Sequence, residues 1–156
     1  MVEQSIGDPA RTSWARLLGD HDRIARQCAG LATLARQPDR PADAASIMLL
    51  ELAICVADHL GVEDQVVDLT LAALHAGSTP QQAAAMSREL DALKCDWTDF
   101  IVRWTPSAIA ADWPAFGDDA DAILSRLATQ VRRENELLYA EALYRGIIAK
   151  GQPTLQ

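Results

Sequence analysis

The sequence predicts an all-α fold, an antiparallel up-down-up-down four-helix bundle. Apolar residues recur at intervals of three and four in four separate segments, which is the period of a helix with one buried face. Stretches with proline and glycine, such as "QPDRPAD" and "HAGSTP", separate the segments. No segment alternates polar and apolar residues for long enough to predict a strand.

The first two helices are predicted from their apolar faces and starting residues. Thr12 or Ser13 can cap the first helix, and the second begins near Ala42 or Asp43. The face of the first is Trp14, Leu17, His21, Ile24, Cys28 and Leu31. The face of the second is Leu49, Leu52, Val56, His59, Glu63, Val66 and Thr70.

The last two helices follow a predicted break, in which Gly77 ends the second helix and Thr79 caps the third before Pro80. The third helix presents Met86, Leu90, Leu93, Trp97, Phe100 or Ile101, and Trp104. The segment "TPSAIAADWP" is expected to be a loop with at most one helical turn. The fourth helix is expected to begin near Asp118 or Asp119 and to end by Gly146. The bundle domain is therefore predicted at residues 12–146, after an irregular lead-in over residues 1–11 and before a tail over residues 147–156.

Composition and charge exclude several classes of function. The net charge of -8 disfavours binding to nucleic acid or to an anionic membrane surface. We expect no membrane-spanning segment, because the sequence contains no run of about 20 consecutive apolar residues. The first residues lack the pattern of a secretory signal, so a cytoplasmic location is expected. Three cysteines without CxxC spacing predict free thiols, with Cys28 and Cys55 buried near the polar residues described next.

Four polar residues interrupt the apolar faces, namely His21, His59, Glu63 and Glu134. Burial of a carboxylate without a partner is costly, so their occurrence on three helices predicts that they meet. Two imidazoles and two carboxylates suit zinc, iron(II) or manganese(II). An alternative remains at this point: each histidine could be an ordinary hydrogen-bonded core residue, and Glu63 could pair with Arg132 or Arg133.

The segments "HDRI", "HLGVED" and "RRENELLY" resemble the hemerythrin-like (HHE cation-binding) domain in order and spacing, over residues 14 to 145. The resemblance implies a four-helix bundle around a non-haem di-iron centre. It implies one histidine from the first helix, a histidine and a bridging glutamate from the second, two histidines from the third, and a histidine with a bridging carboxylate from the fourth. By this resemblance His21, His59, Glu63 and Glu134 are ligands.

The remaining ligands that the resemblance implies are missing. The third predicted helix contains no histidine, and Gln130 stands where the fourth-helix histidine is expected. The sequence therefore keeps the ligands of one iron and both bridging carboxylates, and lacks the three histidines of the other iron. His75, the remaining histidine, is expected to face solvent.

The function predicted from these residues is that of a hemerythrin-like domain binding one divalent metal, in a sensing, storage or structural role. The resemblance favours iron, and zinc or manganese would also suit the donors. The alternative is a metal-free bundle that acts as a protein-interaction or regulatory module. No catalytic residue is predicted, and we favour a non-enzymatic role without excluding an iron oxidase. The predicted partners are the metal ion and either a second copy of the chain or another protein, with no nucleic acid and no membrane.

Overall fold

The computed structural model describes residues 13–76 and 80–149, and these residues are helical apart from short connections and one isolated bridge between Ser13 and Ala149. The elements in order are α1 (Trp14–Leu34), α2 (Ala42–Ala76), α3 (Pro80–Arg103), α4 (Pro106–Ala111), α5 (Trp113–Arg133), a π-helical segment (Glu134–Tyr139) and α6 (Ala140–Tyr144). The all-α prediction is confirmed for this part of the chain. The predicted lead-in over residues 1–11, the Gly77 stop and the Thr79 cap lie outside the described residues.

The helix α1 begins where its cap was predicted. The Ser13 side chain accepts a hydrogen bond from the Arg16 backbone N–H at 3.1 Å, which satisfies one of the free donors of the first turn. The buried residues of α1 belong to the predicted face, being Leu17, His21, Ile24, Cys28 and Leu31.

The helix α2 begins at Ala42 as predicted, and part of it is strongly apolar. Its segment Ala42–Leu74 contains an 18-residue window with a mean hydropathy of 1.7, and by length and composition only it is long and apolar enough to cross a membrane. Length and composition alone do not distinguish such a span from the core helix of a bundle. This helix contacts α1 and α3, and it carries His59 and Glu63 on its buried face.

The predicted start of the fourth helix was wrong by about five residues, because α5 begins at Trp113. The Asp112 side chain caps it by accepting from the Ala115 N–H at 3.2 Å, and Pro114 occupies the first turn, where a proline costs no hydrogen bond. The helical turn anticipated before it is α4, which Thr105 caps through the Ala108 N–H. "DWP" is therefore a helix start.

The last described residues continue to pack on the helices beyond the predicted boundary at Gly146. Gly146 has a φ of 74° and follows the last turn of α6, as expected of a residue that ends a helix. Ile148 is buried, and the Trp14 N–H donates to the Ala149 carbonyl oxygen at 2.7 Å. The chain beyond α6 thus covers the start of α1.

The buried core has two apolar parts, with the polar residues between them. One part contains Ile24, Val56 and Leu127, together with an aromatic group. In this group Phe100, Trp104 and Trp113 surround Phe116, and Trp97 stacks on Phe100. The other contains Leu17, Val66, Leu90 and Leu138. Helix α1 contacts α2 and α5, and α3 contacts α2 and α5, so these four helices enclose the layer where the polar residues lie.

Candidate metal centre

The structure brings the four predicted residues together. Helix α1 supplies His21, α2 supplies His59 and Glu63 one turn apart, and the π segment supplies Glu134. All four are buried, with at most 4% of each residue exposed. One ligand atom from each lies within 4.8 Å of the others, so four donors on three elements share one small volume.

The distances within this group are those of directly interacting atoms. His21 Nε2 lies 3.0 Å from Glu134 Oε1 and 3.6 Å from Glu63 Oε2. His59 Nε2 lies 2.9 Å from Glu63 Oε2. Ligand atoms about 2.1 Å from a metal are at most about 4.2 Å apart, so the widest separation would close by roughly half an ångström around an ion. The donor set and its dimensions fit a metal.

A π-helical segment places the last residues of the centre, Glu134 and Tyr139, on one face. Residues five apart on an α-helix are about 140° apart around the axis, whereas in a π-helix residues five apart are joined by one turn. The segment Glu134–Tyr139 is π-helical, so Glu134 and Tyr139 both reach the buried face. Leu137, which the α-helical period allowed on that face, is 42% exposed.

Tyr139 belongs to the centre, and the sequence analysis missed it. Its hydroxyl oxygen lies 2.9 Å from His21 Nε2 and 3.1 Å from His59 Nε2, and the hydroxyl donates to Glu63 Oε2. The phenol ring stacks on the His21 ring, with centroids 4.7 Å apart. A period of 3.6 places Tyr139 away from Glu134, so no signal in the apolar pattern could have found it.

Each imidazole is oriented by a hydrogen bond on the side away from the centre. His21 Nδ1 donates to Asn135 Oδ1 at 2.7 Å, and His59 Nδ1 donates to Asp20 Oδ2 at 3.1 Å. A proton on Nδ1 leaves the Nε2 lone pair of a neutral imidazole free for a metal. An outer hydrogen bond of this kind accompanies most metal-bound histidines. Asp20 and Asn135, each next in sequence to a predicted ligand, are further residues that the sequence analysis missed.

Opposite charges and burial compete in the metal-free centre. Burial lowers the pKa of both histidines, but neighbouring carboxylates outweigh it: Glu134 and Glu63 raise the pKa of His21 to about 9, and Asp20 and Glu63 raise that of His59 to about 9. Burial raises the pKa of Glu63, but hydrogen bonds to both histidines lower it on balance. Burial and the Glu63 charge raise the pKa of Glu134. Glu63 therefore stays ionised, and Glu134 is the carboxyl group that more readily takes a proton.

The family is decided by comparison with known domains. The model of the hemerythrin HHE cation-binding domain matches residues 12–142, most of the chain. The chain belongs to this family. Searches among curated proteins and among solved structures found no match. The protein is thus a hemerythrin-family helical domain that carries a group of residues able to hold a metal ion.

The side of the centre that faces α3, where the family resemblance implies two further histidines, is mostly apolar. A cavity of about 50 Å³ adjoins the four residues, and α3 lines it with Leu90, Leu93, Lys94 and Trp97. The Lys94 ammonium donates to Asp64 at 3.0 Å, and this pairing outweighs burial and raises its pKa. None of these α3 side chains is a usual ligand for a second ion.

The alternative pairing of Glu63 with Arg132 or Arg133 does not occur in the structure. Arg133 pairs with the exposed Glu89 of α3 and not with Glu63. Arg132 is exposed, whereas Glu63 is 2% exposed and bonded to His59 and Tyr139. The side chain of His75 lies outside the described residues.

The three cysteines are free, as expected from their number. Cys28 is buried, and burial raises the pKa of its thiol to about 12. Cys55 is only partly buried, which corrects the expectation that both would be enclosed, and Cys95 is exposed.

Proposed function

We propose that the protein binds one divalent metal ion through His21, His59, Glu63 and Glu134, as a sensing, storage or structural domain. The observation that carries the proposal is that both imidazoles direct Nε2 at two buried carboxylates while Nδ1 donates outward. A buried group of this kind without a cation would need several protons to balance its charges.

Iron is the metal we propose first, because the chain belongs to a family named for cation binding and resembles its di-iron members. Zinc would close a four-ligand site tetrahedrally, whereas iron(II) can accept further ligands. Iron bound by these four residues would supply open positions for a small molecule, which a sensing role requires. The absence of ligand side chains from the α3 wall of the cavity supports a single ion.

We further propose that the helices form the antiparallel up-down-up-down bundle expected from the sequence. The support is the closed set of contacts, in which α1 packs on α2 and α5 and α3 packs on the same two helices. The connection between α1 and α2 covers only residues 35–41, which favours antiparallel neighbours.

The test is the metal content of protein expressed without an affinity tag and measured by mass spectrometry. We expect about one metal per chain, and a bound ion at a free concentration of 100 times its Kd adds about 2.7 kcal/mol to the free energy of unfolding. In a domain of this size that is a rise in Tm of about 5–10 °C. His59→Ala and Glu134→Ala should abolish both the content and the rise. His75→Ala is the matched control, because its backbone lies about 24 Å further along α2.

A metal-free interaction module is the second candidate, and a specific surface favours it. Ile47, Leu50 and Ile54 form an exposed apolar row on α2, each more than half exposed. A row at this spacing lies on one side of a helix and could contact a second copy of the chain or another protein. Wild-type protein without stoichiometric metal, and without a thermal shift on adding iron, zinc or manganese, would favour this candidate over metal binding.

A further inference from the structure

We propose that Tyr139 is a fifth metal ligand, bound through its phenolate oxygen, and that the resulting donor set selects iron(III). The inference rests on the proposed single-metal site, and it replaces the divalent ion of that proposal by iron in the trivalent state. It concerns a residue outside the four predicted ligands, and it assigns the oxidation state that the site prefers.

The position of the hydroxyl oxygen is the first support. It lies 2.9 Å from His21 Nε2 and 3.1 Å from His59 Nε2, and it bonds to Glu63 Oε2. Two ligand atoms each about 2.1 Å from one ion and 90° apart are about 3.0 Å from each other. The phenol oxygen therefore already has the spacing of an adjacent ligand, as do the contacts of His21 with Glu134 and of His59 with Glu63.

The backbone supplies the second support. The π segment brings Tyr139 to the face that holds Glu134, and such segments occur frequently at functional sites. The residue is fully buried at 0% exposure, and its ring stacks on His21. A hydroxyl placed only to fill apolar space would not face three polar ligand atoms.

Charge supplies the third support. With Tyr139 bound, the centre holds three anionic oxygens, from Glu63, Glu134 and Tyr139, and two neutral imidazoles. A trivalent ion balances these three charges, whereas a divalent ion leaves one negative charge in a buried site, where an uncompensated charge is unfavourable. On binding of iron(III), the phenol O–H bond breaks and each imidazole that carries a proton on Nε2 releases it. These protons leave to solvent, and bonds form from the phenolate oxygen and the Nε2 atoms to iron, with no change in the oxidation state of the iron.

The experiment loads iron(III), supplied as a soluble chelate, into the wild-type chain and two variants. The sequence contains two tyrosines, and the other, Tyr144, is 85% exposed, so Tyr144→Phe is the matched control for Tyr139→Phe. We expect wild type and Tyr144→Phe to show a visible tyrosinate-to-iron(III) absorption band with resonance-enhanced tyrosine ring vibrations. Tyr139→Phe should lack the band and bind iron at least about tenfold more weakly.

The outcomes separate the two proposals. Iron bound to wild type with no tyrosinate band, or an unchanged band in Tyr139→Phe, overturns the inference and leaves the metal site intact. No iron in the wild-type chain overturns both. If Tyr139→Phe does not fold, as judged by its helical circular dichroism, the ring vibrations of the wild type and of Tyr144→Phe still decide whether Tyr139 binds.

Discussion

Replacing Asp20 by alanine tests whether the outer hydrogen bonds prepare the centre for a metal. Asp20 Oδ2 accepts from His59 Nδ1 at 3.1 Å, and the Asp20 side chain is 13% exposed. Burial raises the pKa of Asp20, but the bond to His59 and the charges of His59, Arg16 and Arg23 lower it on balance. The carboxylate is therefore ionised at neutral pH, where it holds the proton on Nδ1 and leaves Nε2 to a metal.

The expected loss follows from the role of such a partner. Removing an outer hydrogen bond to a metal-bound histidine typically costs 10–100-fold in affinity, which is about 1.4–2.7 kcal/mol of binding free energy. Asp20→Asn keeps an acceptor oxygen and loses the charge. Hydrogen bonds to charged groups exceed neutral ones by about 1 kcal/mol, so this variant should lose only about fivefold.

The assay is a competition titration of each variant against a chelator of known affinity, after circular dichroism has shown native helix content. Asp22→Ala is the control, because Asp22 lies on the same helix but is exposed and pairs with Arg26 at 2.9 Å. The predicted order of affinity loss is Asp20→Ala, then Asp20→Asn, then Asp22→Ala with none. Equal affinities for Asp20→Ala and Asp22→Ala would refute the view that His59 is held by Asp20 for metal binding.

Three further outcomes are expected. The pKa values of His21 and His59 are raised from 6.5 to about 9 in the folded chain. Their contribution to the stability of the metal-free protein should therefore be complete below about pH 6.5 and be lost as the pH rises through 9; a Tm that rises between these pH values in the presence of a chelator would contradict the charge pairing. Cys28 should react with a thiol reagent far more slowly than Cys95 in the native state, because it is buried with a pKa near 12; equal rates, followed by mass spectrometry of the peptides, would show that its helix opens. Leu50→Glu should shift any associated form to the monomer in sedimentation velocity, and unchanged association would place the contact elsewhere.

The predicted faces of the helices were accurate because burial alone determines them. A residue such as Leu17 or Phe100 is recognised by its period, whichever neighbour it contacts. The start of α5 was missed because "DWP" was interpreted as part of a loop. Asp112 as the N-cap and Pro114 in the first turn together indicate the start of a helix. The error was one of local capping, which sequence alone could have avoided.

The four site residues could be predicted for a related reason, because a charged or polar residue is easily recognised within an otherwise apolar helix face. Asp20 and Asn135 could not be found in this way, because each lies beside a ligand in sequence and off the buried face by the α-helical period. Tyr139 could not be found because its position depends on the π segment. The change from the α-helical period of 3.6 residues per turn to the π-helical period depends on the packing of the whole chain. The spacing of apolar residues in the sequence does not indicate it.

Under the proposed function, the residues that the chain has suffice for one ion and not for two. Glu134 directs Oε1 at His21 and accepts at Oε2 from the Gln130 amide at 2.8 Å, so a hydrogen-bond donor stands where the family resemblance implies a histidine. In the metal-free centre, Glu63 accepts a hydrogen bond from the Tyr139 hydroxyl. A carboxylate at a bridging position with one ion instead of two needs a donor in place of the second ion, and the Gln130 amide supplies that donor to Glu134. For this reason Gln130→His should not by itself recruit a second ion, because α3 would still present leucine and tryptophan side chains to the cavity.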